Sequence, residues 1–199
     1  GQRRQAESGN GQSKRLAGGA FSLHFVLLLA AANFPKPLFD HFVAQLESFL
    51  FYYIFTKTPT KDLERSFSQW ADELRAIAEA SDPVQQKVQL NAFVADRFEK
   101  NMAGKSQELA DALNRLTLYS MQQYRTRYLL ARLTQHVEMA FSGLKVPGSL
   151  EPFTKLEIEH ILPNKPEDDL RGKWATENPG MAYDDYKNRL GNLTLLEKP

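Results

Sequence analysis

Apolar residues recur at helical spacing along most of the first 142 positions of the chain. Between residues 37 and 55 they recur every three or four positions, which predicts one broad apolar stripe on a helix. Similar patterns predict helices over residues 21–32, from Thr58 to about Ser81, from Pro83 to about Lys100, and from about Ser106 to Phe141. Ser81 or Asp82 can cap the helix that begins at Pro83. The stripe between residues 37 and 55 consists of Leu38, Phe42, Leu46, Phe49, Leu50 and Tyr53.

The period changes after residue 142, where glycines and prolines end the helical pattern. Residues 154–162 alternate as in a strand, and residues 163–181 have the composition of a long surface loop, anchored by Trp174. A tyrosine-bearing helical segment, a Gly-Asn turn at 191–192 and a short strand at 193–196 follow. The sequence therefore predicts a mainly α fold: a flexible arm at 1–19, a helical domain at 20–142, and a separate segment at 143–199.

Composition excludes several classes of protein. The 199 residues are 42% hydrophobic, enough for one sizeable core or two small ones. There is no cysteine, so disulfide frameworks and cysteine zinc sites are excluded. The longest apolar stretch, at 21–32, is too short to cross a bilayer, and there is no signal-like segment. We therefore expect a cytoplasmic protein, and the missing initiator Met suggests a piece of a longer chain.

The net charge of +1 is unevenly distributed. Residues 1–19 carry +3, residues 20–140 are neutral, and residues 141–199 carry −2. A domain that holds DNA by itself normally has a basic face. We therefore expect any affinity for nucleic acid to come from a local patch, from a metal ion, or from other parts of the parent protein.

Two short motifs near the C-terminal end carry the candidate chemistry. They are Glu-His-Ile-Leu-Pro at 159–163 and Gly-Asn-Leu-Thr-Leu-Leu at 191–196. A lone histidine in a strand is more often a hydrogen-bonded structural residue than a base. A Gly-Asn pair is more often only a turn. The conjunction of the two motifs at this spacing favours a nuclease site.

Together with Trp174 and Arg189, these motifs resemble the HNH nuclease domain of GmrSD-type restriction proteins, a family that includes SspE-like anti-phage nucleases. The helices upstream resemble, more weakly, the region that joins this nuclease to an N-terminal nucleotide-hydrolysing domain. The resemblance implies a small ββα-metal unit, with a last helix and a last metal ligand that would follow Pro199. It also implies a DNA endonuclease or nickase that acts on phage or modified DNA and has that N-terminal domain as its partner within the parent protein.

The resemblance also implies roles for three residues. His160 would be the general base, because histidine is partly neutral at physiological pH and can accept a proton from water. Asn192 would orient the histidine or brace the turn. Glu159 would bind a divalent cation, Mg²⁺ or Mn²⁺, through oxygen. Adjacent strand residues point to opposite faces, however, so Glu159 and His160 share a site only if the strand ends or bends between them.

Three arginines are candidate DNA-binding residues. Arg125 and Arg132 share a helix face with His136, and Arg189 precedes the second motif. The simpler interpretation of the helix face is a solvated surface; the functional one is a small patch that follows phosphates. The alternative function for the whole chain is a catalytically inactive helical module for interaction or DNA sensing.

Overall fold

The computed structural model describes residues 24–57, 61–145 and 147–197, so the predicted arm at 1–19 and the predicted helix starts at Phe21 and Thr58 lie outside the described residues. Contacts within the chain define two compact units, residues 1–112 and residues 113–199. The domain boundary predicted after residue 142 stays a prediction.

The first unit is built from helices close to those that the apolar periodicity predicts. The cap predicted at the start of the Pro83 helix is Asp82, whose side chain accepts a hydrogen bond of 2.9 Å from the backbone N–H of Val84. The elements are α1 (His24–Ala30), α2 (Lys36–Phe55), α3 (Lys61–Glu79), α4 (Pro83–Val94), a π-helical turn (Ala95–Glu99), α5 (Lys100–Met102) and the start of α6 (Ser106–Asn114).

Aromatic rings from several helices form the core of this unit. Phe49 of α2 is fully buried, stacks on Phe98 at a centroid distance of 4.7 Å, and meets the edge of Trp70 of α3 at 5.8 Å. Residues five apart in an α-helix lie about 140° apart around the axis. The π-helical turn, with its wider i→i+5 repeat, instead brings Phe93 and Phe98 to the same side, with centroids 5.6 Å apart.

The second unit combines one long helix with a two-stranded antiparallel sheet. The strands β1 (Glu157–His160) and β2 (Leu193–Leu196) pair in regular register, from Glu157 opposite Leu196 to His160 opposite Leu193. Its elements are the end of α6, α7 (Gln123–Ser142), α8 (Glu151–Thr154), β1 (Glu157–His160), α9 (Asp168–Glu177), α10 (Tyr183–Tyr186), a 3₁₀ turn (Leu190–Asn192) and β2 (Leu193–Leu196).

The helix predicted from Ser106 to Phe141 is interrupted between α6 and α7. Within this interruption the backbone pairs with a segment distant in the sequence: Leu118 N–H donates to the carbonyl of Asn188 at 2.8 Å, and Leu116 O accepts from Leu190 N–H at 3.0 Å. These bonds require extended backbone, which overrides the local helical pattern.

The long loop predicted at 163–181 was wrong in part, because it contains α9. Asp168 and Asp169 lie in the first turn, where carboxylates favour a helix N-terminus, and Asp169 pairs with Lys173 one turn later at 2.8 Å. The first strand is also shorter than the predicted 154–162, since it spans only Glu157–His160 and Thr154 ends a short helix. The mainly α prediction is confirmed, and the ββα-metal unit stays a prediction. Within the described residues, no helix has the length and apolar character needed to span a bilayer.

Candidate functional site

The antiparallel ladder fixes the directions of the two predicted site residues on β1. His160 lies opposite Leu193 and Glu159 lies opposite Thr194, so the two side chains point to opposite faces of the hairpin. The strand ends at His160, and the bend follows at Ile161, after the pair rather than between its members. Glu159 is exposed and His160 is half-buried. A shared site is therefore not formed by the strand alone, and the metal role of Glu159 stays a prediction.

The imidazole of His160 has one hydrogen-bond partner among the described side chains. Its Nε2 lies 3.1 Å from Oδ1 of Asn188. An amide oxygen only accepts hydrogen bonds, so this contact requires a proton on Nε2. When the ring is neutral, Nδ1 is then left with a lone pair.

The side chain of Asn192 binds backbone groups, and none of its hydrogen bonds within the described residues goes to His160. Its Oδ1 accepts from the backbone N–H of Leu162 at 2.8 Å, while its Nδ2 donates to the carbonyls of Leu162 at 3.1 Å and Lys187 at 2.7 Å. Its backbone carbonyl also accepts from Ile161 N–H at 2.9 Å. These bonds are of the kind that brace a turn, and the role of Asn192 in the site stays a prediction.

Backbone pairing with residues 116–118 holds the segment that carries Asn188. The hydrogen bonds from Leu118 to Asn188 and from Leu190 to Leu116 lie on either side of a bridge between Thr117 and Arg189. The backbone of Asn188 is therefore held by its hydrogen bond with Leu118. The carbonyl of the preceding residue, Lys187, is held by the side-chain amide of Asn192. Backbone anchoring of this kind limits how far the Asn188 side chain can move.

An aromatic cluster packs within the segment that connects β1 to β2. Trp174 of α9 contacts the rings of Tyr183 and Tyr186 at centroid distances of 5.4 and 5.5 Å. Its indole N–H donates to Met181 O at 2.8 Å, and the Tyr183 hydroxyl donates to Pro163 O at 2.6 Å. Trp174 is thus the predicted anchor, although it anchors a helix rather than a loop.

The carboxyl group of Asp184 lies on the surface beside this cluster. A hydrogen bond from Lys187, at 2.8 Å, lowers the pKa of Asp184 below its ordinary value, and the charges of Lys187 and Arg171 add to this effect. Arg171 lies 3.7 Å away. Lys187, the residue that precedes Asn188, therefore forms an ion pair with Asp184.

The three predicted DNA-binding arginines all make contacts within their own segments. Arg125 Nε donates to the Tyr124 hydroxyl at 3.1 Å, and Arg132 binds the Tyr128 hydroxyl and the Gln135 amide oxygen at 3.0 and 2.9 Å. The guanidinium of Arg189 stacks on the Tyr186 ring, 4.2 Å from its centroid. These contacts orient the guanidinium groups, and binding of DNA by them stays a prediction.

A cavity of about 800 Å³ lies in the second unit, beside β2. Apolar residues of α7 form much of its wall, including Leu130, Leu133 and Val137, and Asn192 also borders it. Arg189 is the one charged residue among those lining it. Neither His160 nor Asn188 is among the lining residues, so their contact lies outside this cavity.

Side chains that commonly bind metal ions do not cluster in threes within the described part of the chain. Residues 24–57, 61–145 and 147–197 contain no group of three or more His, Cys, Asp or Glu side chains placed to hold one. Glu159 points away from His160, and the Asn188 oxygen is engaged by the imidazole. The cation, Mg²⁺ or Mn²⁺, and its ligands stay predictions.

Sequence reasoning missed Asn188 and its anchoring segment at 116–118. Asn188 precedes Asn192 by four residues, so both lie in the irregular backbone that leads into β2. A polar side chain at such a position is a candidate for a side-chain contact with the end of β1. The partner itself, His160, could not be identified without the register of the hairpin.

Residues 104–199 match the family model described as GmrSD restriction endonucleases, C-terminal domain. This part of the chain is therefore similar to the C-terminal domain of that family, and the match covers the second unit completely. Neither the comparison with curated proteins nor that with solved structures gives a match.

Proposed function

We propose that residues 113–199 are the catalytic part of a metal-dependent HNH endonuclease or nickase that hydrolyses DNA phosphodiesters, with His160 as the general base. The family match supports an endonuclease in the parent protein and DNA as its substrate. One observation carries the assignment of the base. His160 stands at the end of β1, half-buried, with Nε2 engaged by Asn188 and with no hydrogen bond at Nδ1 within the described part of the chain.

This arrangement suits the acceptance of a proton from water. In the proposed step a water oxygen forms a bond to phosphorus, and one ester P–O bond breaks. The proton that the water loses goes to the neutral imidazole, and the departing oxygen takes a proton from solvent. General-base catalysis of this kind contributes about 10²- to 10⁴-fold in rate.

The proposal includes a divalent cation that would neutralise charge at the phosphate. Glu159 is its sequence-predicted ligand, but its direction on β1 means that other ligands or a local rearrangement would be required. The basic side chains Arg125, Arg132 and Arg189 are proposed to contact the DNA backbone. The substrate is proposed to be phage or modified DNA, with a nucleotide-hydrolysing domain preceding this region in the parent protein.

Nicking of supercoiled plasmid tests the proposal. The full chain is incubated with plasmid and Mg²⁺ or Mn²⁺, with chelator as the metal control. We expect His160→Ala to reduce nicking about 100-fold or more. His41→Ala is the matched control, because His41 is an exposed histidine of α2, and it should nick like the wild type. Circular dichroism verifies that both variants fold.

Equal nicking by His160→Ala and the wild type would refute the assignment of the base. The opposite directions of Glu159 and His160 on β1 favour a second candidate, an inactive module for interaction or DNA sensing. Its signature is DNA binding that persists after His160→Ala and after chelation, with no cleavage under either metal.

A further inference from the structure

The contact between His160 and Asn188 joins two segments that the sequence gives no reason to connect. Nε2 of His160 and Oδ1 of Asn188 are 3.1 Å apart, within the range of a hydrogen bond, although 28 positions separate the residues. Asn192, which the motif suggested as support for the histidine, uses both ends of its amide on backbone groups. Asn188 is therefore the asparagine that is free to act on the ring.

The backbone around Asn188 is anchored independently of its side chain. Its carbonyl accepts from Leu118 N–H at 2.8 Å, and the bond from Leu190 to Leu116 follows two residues later. On the other side, the Lys187 carbonyl is held by Asn192 at 2.7 Å. Because none of these bonds uses the Asn188 amide, a substitution of that side chain should leave the local backbone in place.

An amide oxygen in this position determines which imidazole nitrogen carries the proton. Since Oδ1 can only accept, the proton of the neutral ring lies on Nε2, and the lone pair lies on Nδ1. The ring plane is also held, because rotation about the Cβ–Cγ bond would break the contact. Both effects are those by which a hydrogen-bonding partner sets the tautomer and direction of a functional histidine.

We infer that Asn188 is a positioning residue, which holds the His160 ring with its proton on Nε2 and presents Nδ1 as the nitrogen that accepts the proton from water. The inference rests on the proposed function of His160. Asn188 itself touches neither water nor phosphate in this scheme. Its effect on the reaction is transmitted through the imidazole.

Nuclear magnetic resonance tests the contact without any need for cleavage. The full chain is labelled with ¹⁵N-histidine and studied at a pH at which the ring is neutral, with the His160 signals assigned by their loss in His160→Ala. We expect a proton on Nε2 that exchanges slowly with water in the wild type and in Asn188→Asp, which keeps an acceptor oxygen. In Asn188→Ala this proton should exchange too fast to be observed. A signal equally persistent in Asn188→Ala would overturn the inference.

Cleavage kinetics provide the second measurement. A misplaced reacting group can cost about 100-fold in rate, so we expect Asn188→Ala to lower kcat by about 10- to 100-fold with KM nearly unchanged. Asn188→Asp should recover most of the loss. Asn164→Ala, at an exposed asparagine of the same unit, should behave as the wild type. An Asp variant as defective as the Ala variant, or an Ala variant with normal kcat, would contradict the inference.

The two measurements separate the two hypotheses. If the wild type shows the protected Nε2 proton but cuts nothing under either metal, the proposed function fails while the positioning contact stands. If the wild type cuts and the Nε2 proton exchanges with water at the same rate in Asn188→Ala, the positioning role fails while the assignment of His160 as the general base stands.

Discussion

The two units of this chain keep their shape by different means. In the first unit, buried apolar side chains converge from several helices, and Phe49, Phe98 and Trp70 are in mutual ring contact. The second unit also buries apolar residues, such as Leu129 and Leu195, but in addition a side-chain amide binds backbone groups distant in sequence, as Asn192 does at Leu162, 30 positions earlier. Apolar burial is nondirectional, whereas hydrogen bonds fix direction as well as distance. The second unit, residues 113–199, is therefore the one suited to holding an imidazole in a defined orientation. We call it the polar unit, in contrast to the apolar unit, residues 1–112.

Each unit contains one of the two tryptophans, Trp70 in the first and Trp174 in the second. Fluorine resonances from 5-fluorotryptophan can therefore follow the unfolding of each unit separately in urea. This provides a common measurement for the predictions that concern stability.

The largest effect is expected from removal of the central ring of the apolar unit. Phe49 is fully buried, so Phe49→Ala should lower the free energy of unfolding reported by Trp70 by about 3–5 kcal/mol. Phe141→Ala removes the same group from a side chain that is 89% exposed, and it should shift neither transition by more than about 0.5 kcal/mol. A loss below about 1 kcal/mol for Phe49→Ala would show that the aromatic core does not dominate this unit.

A smaller loss is expected from removal of the brace in the polar unit. Asn192→Ala leaves one N–H and two carbonyl groups without their partner, and it should lower the free energy of unfolding reported by Trp174 by about 2 kcal/mol. Asn192→Asp should be at least as harmful, because a carboxylate would face the carbonyls of Leu162 and Lys187. If both variants unfold like the exposed control Asn164→Ala, hydrogen bonding by this amide does not hold the unit together.

The smallest effect concerns the surface pair of Asp184 and Lys187. The lowered pKa of Asp184 means that its contribution to stability is present above the unfolded-state value, about 3.9, and is lost as pH falls through the lower folded-state value. A carboxyl titration by carbon resonance should show the pKa rising toward its ordinary value in Lys187→Met. The pKa of Asp184 should return only part of the way, since the guanidinium of Arg171 remains 3.7 Å from its carboxylate. An unchanged pKa in Lys187→Met would remove Lys187 as the cause.

The sequence predicted the apolar unit better than the polar one. Helices such as α2 and α3 follow from the spacing of residues that must be buried, and the Asp82 cap follows from local chemistry. Both signals lie within a few residues of the element that they specify. Periodicity could not predict the π-helical turn, because Phe98 reaches the core only through a local change of repeat.

In the polar unit the prediction located the right residues but not all of their partners. The turn at Asn192 and the strand that follows it were predicted from the Gly-Asn motif. The alternation of side-chain directions along a strand also predicted that Glu159 and His160 point to opposite faces of β1. Asn188 was missed because its partner depends on hairpin register. The break before α7 was missed because backbone groups around Leu118 bind a segment near the other end of the unit.

The pairing of residues 116–118 with residues 188–190 also has a consequence for the order of folding. Closing so long a loop costs more chain entropy than forming a helix, and contacts distant in sequence form slowly. Helix α7 can therefore form early, whereas Asn188 reaches its place only when both ends of the unit have met. In a nascent or partly unfolded chain, His160 would thus be present without the hydrogen bond from its ring to Asn188. Formation of this contact therefore indicates that both ends of the unit have folded together.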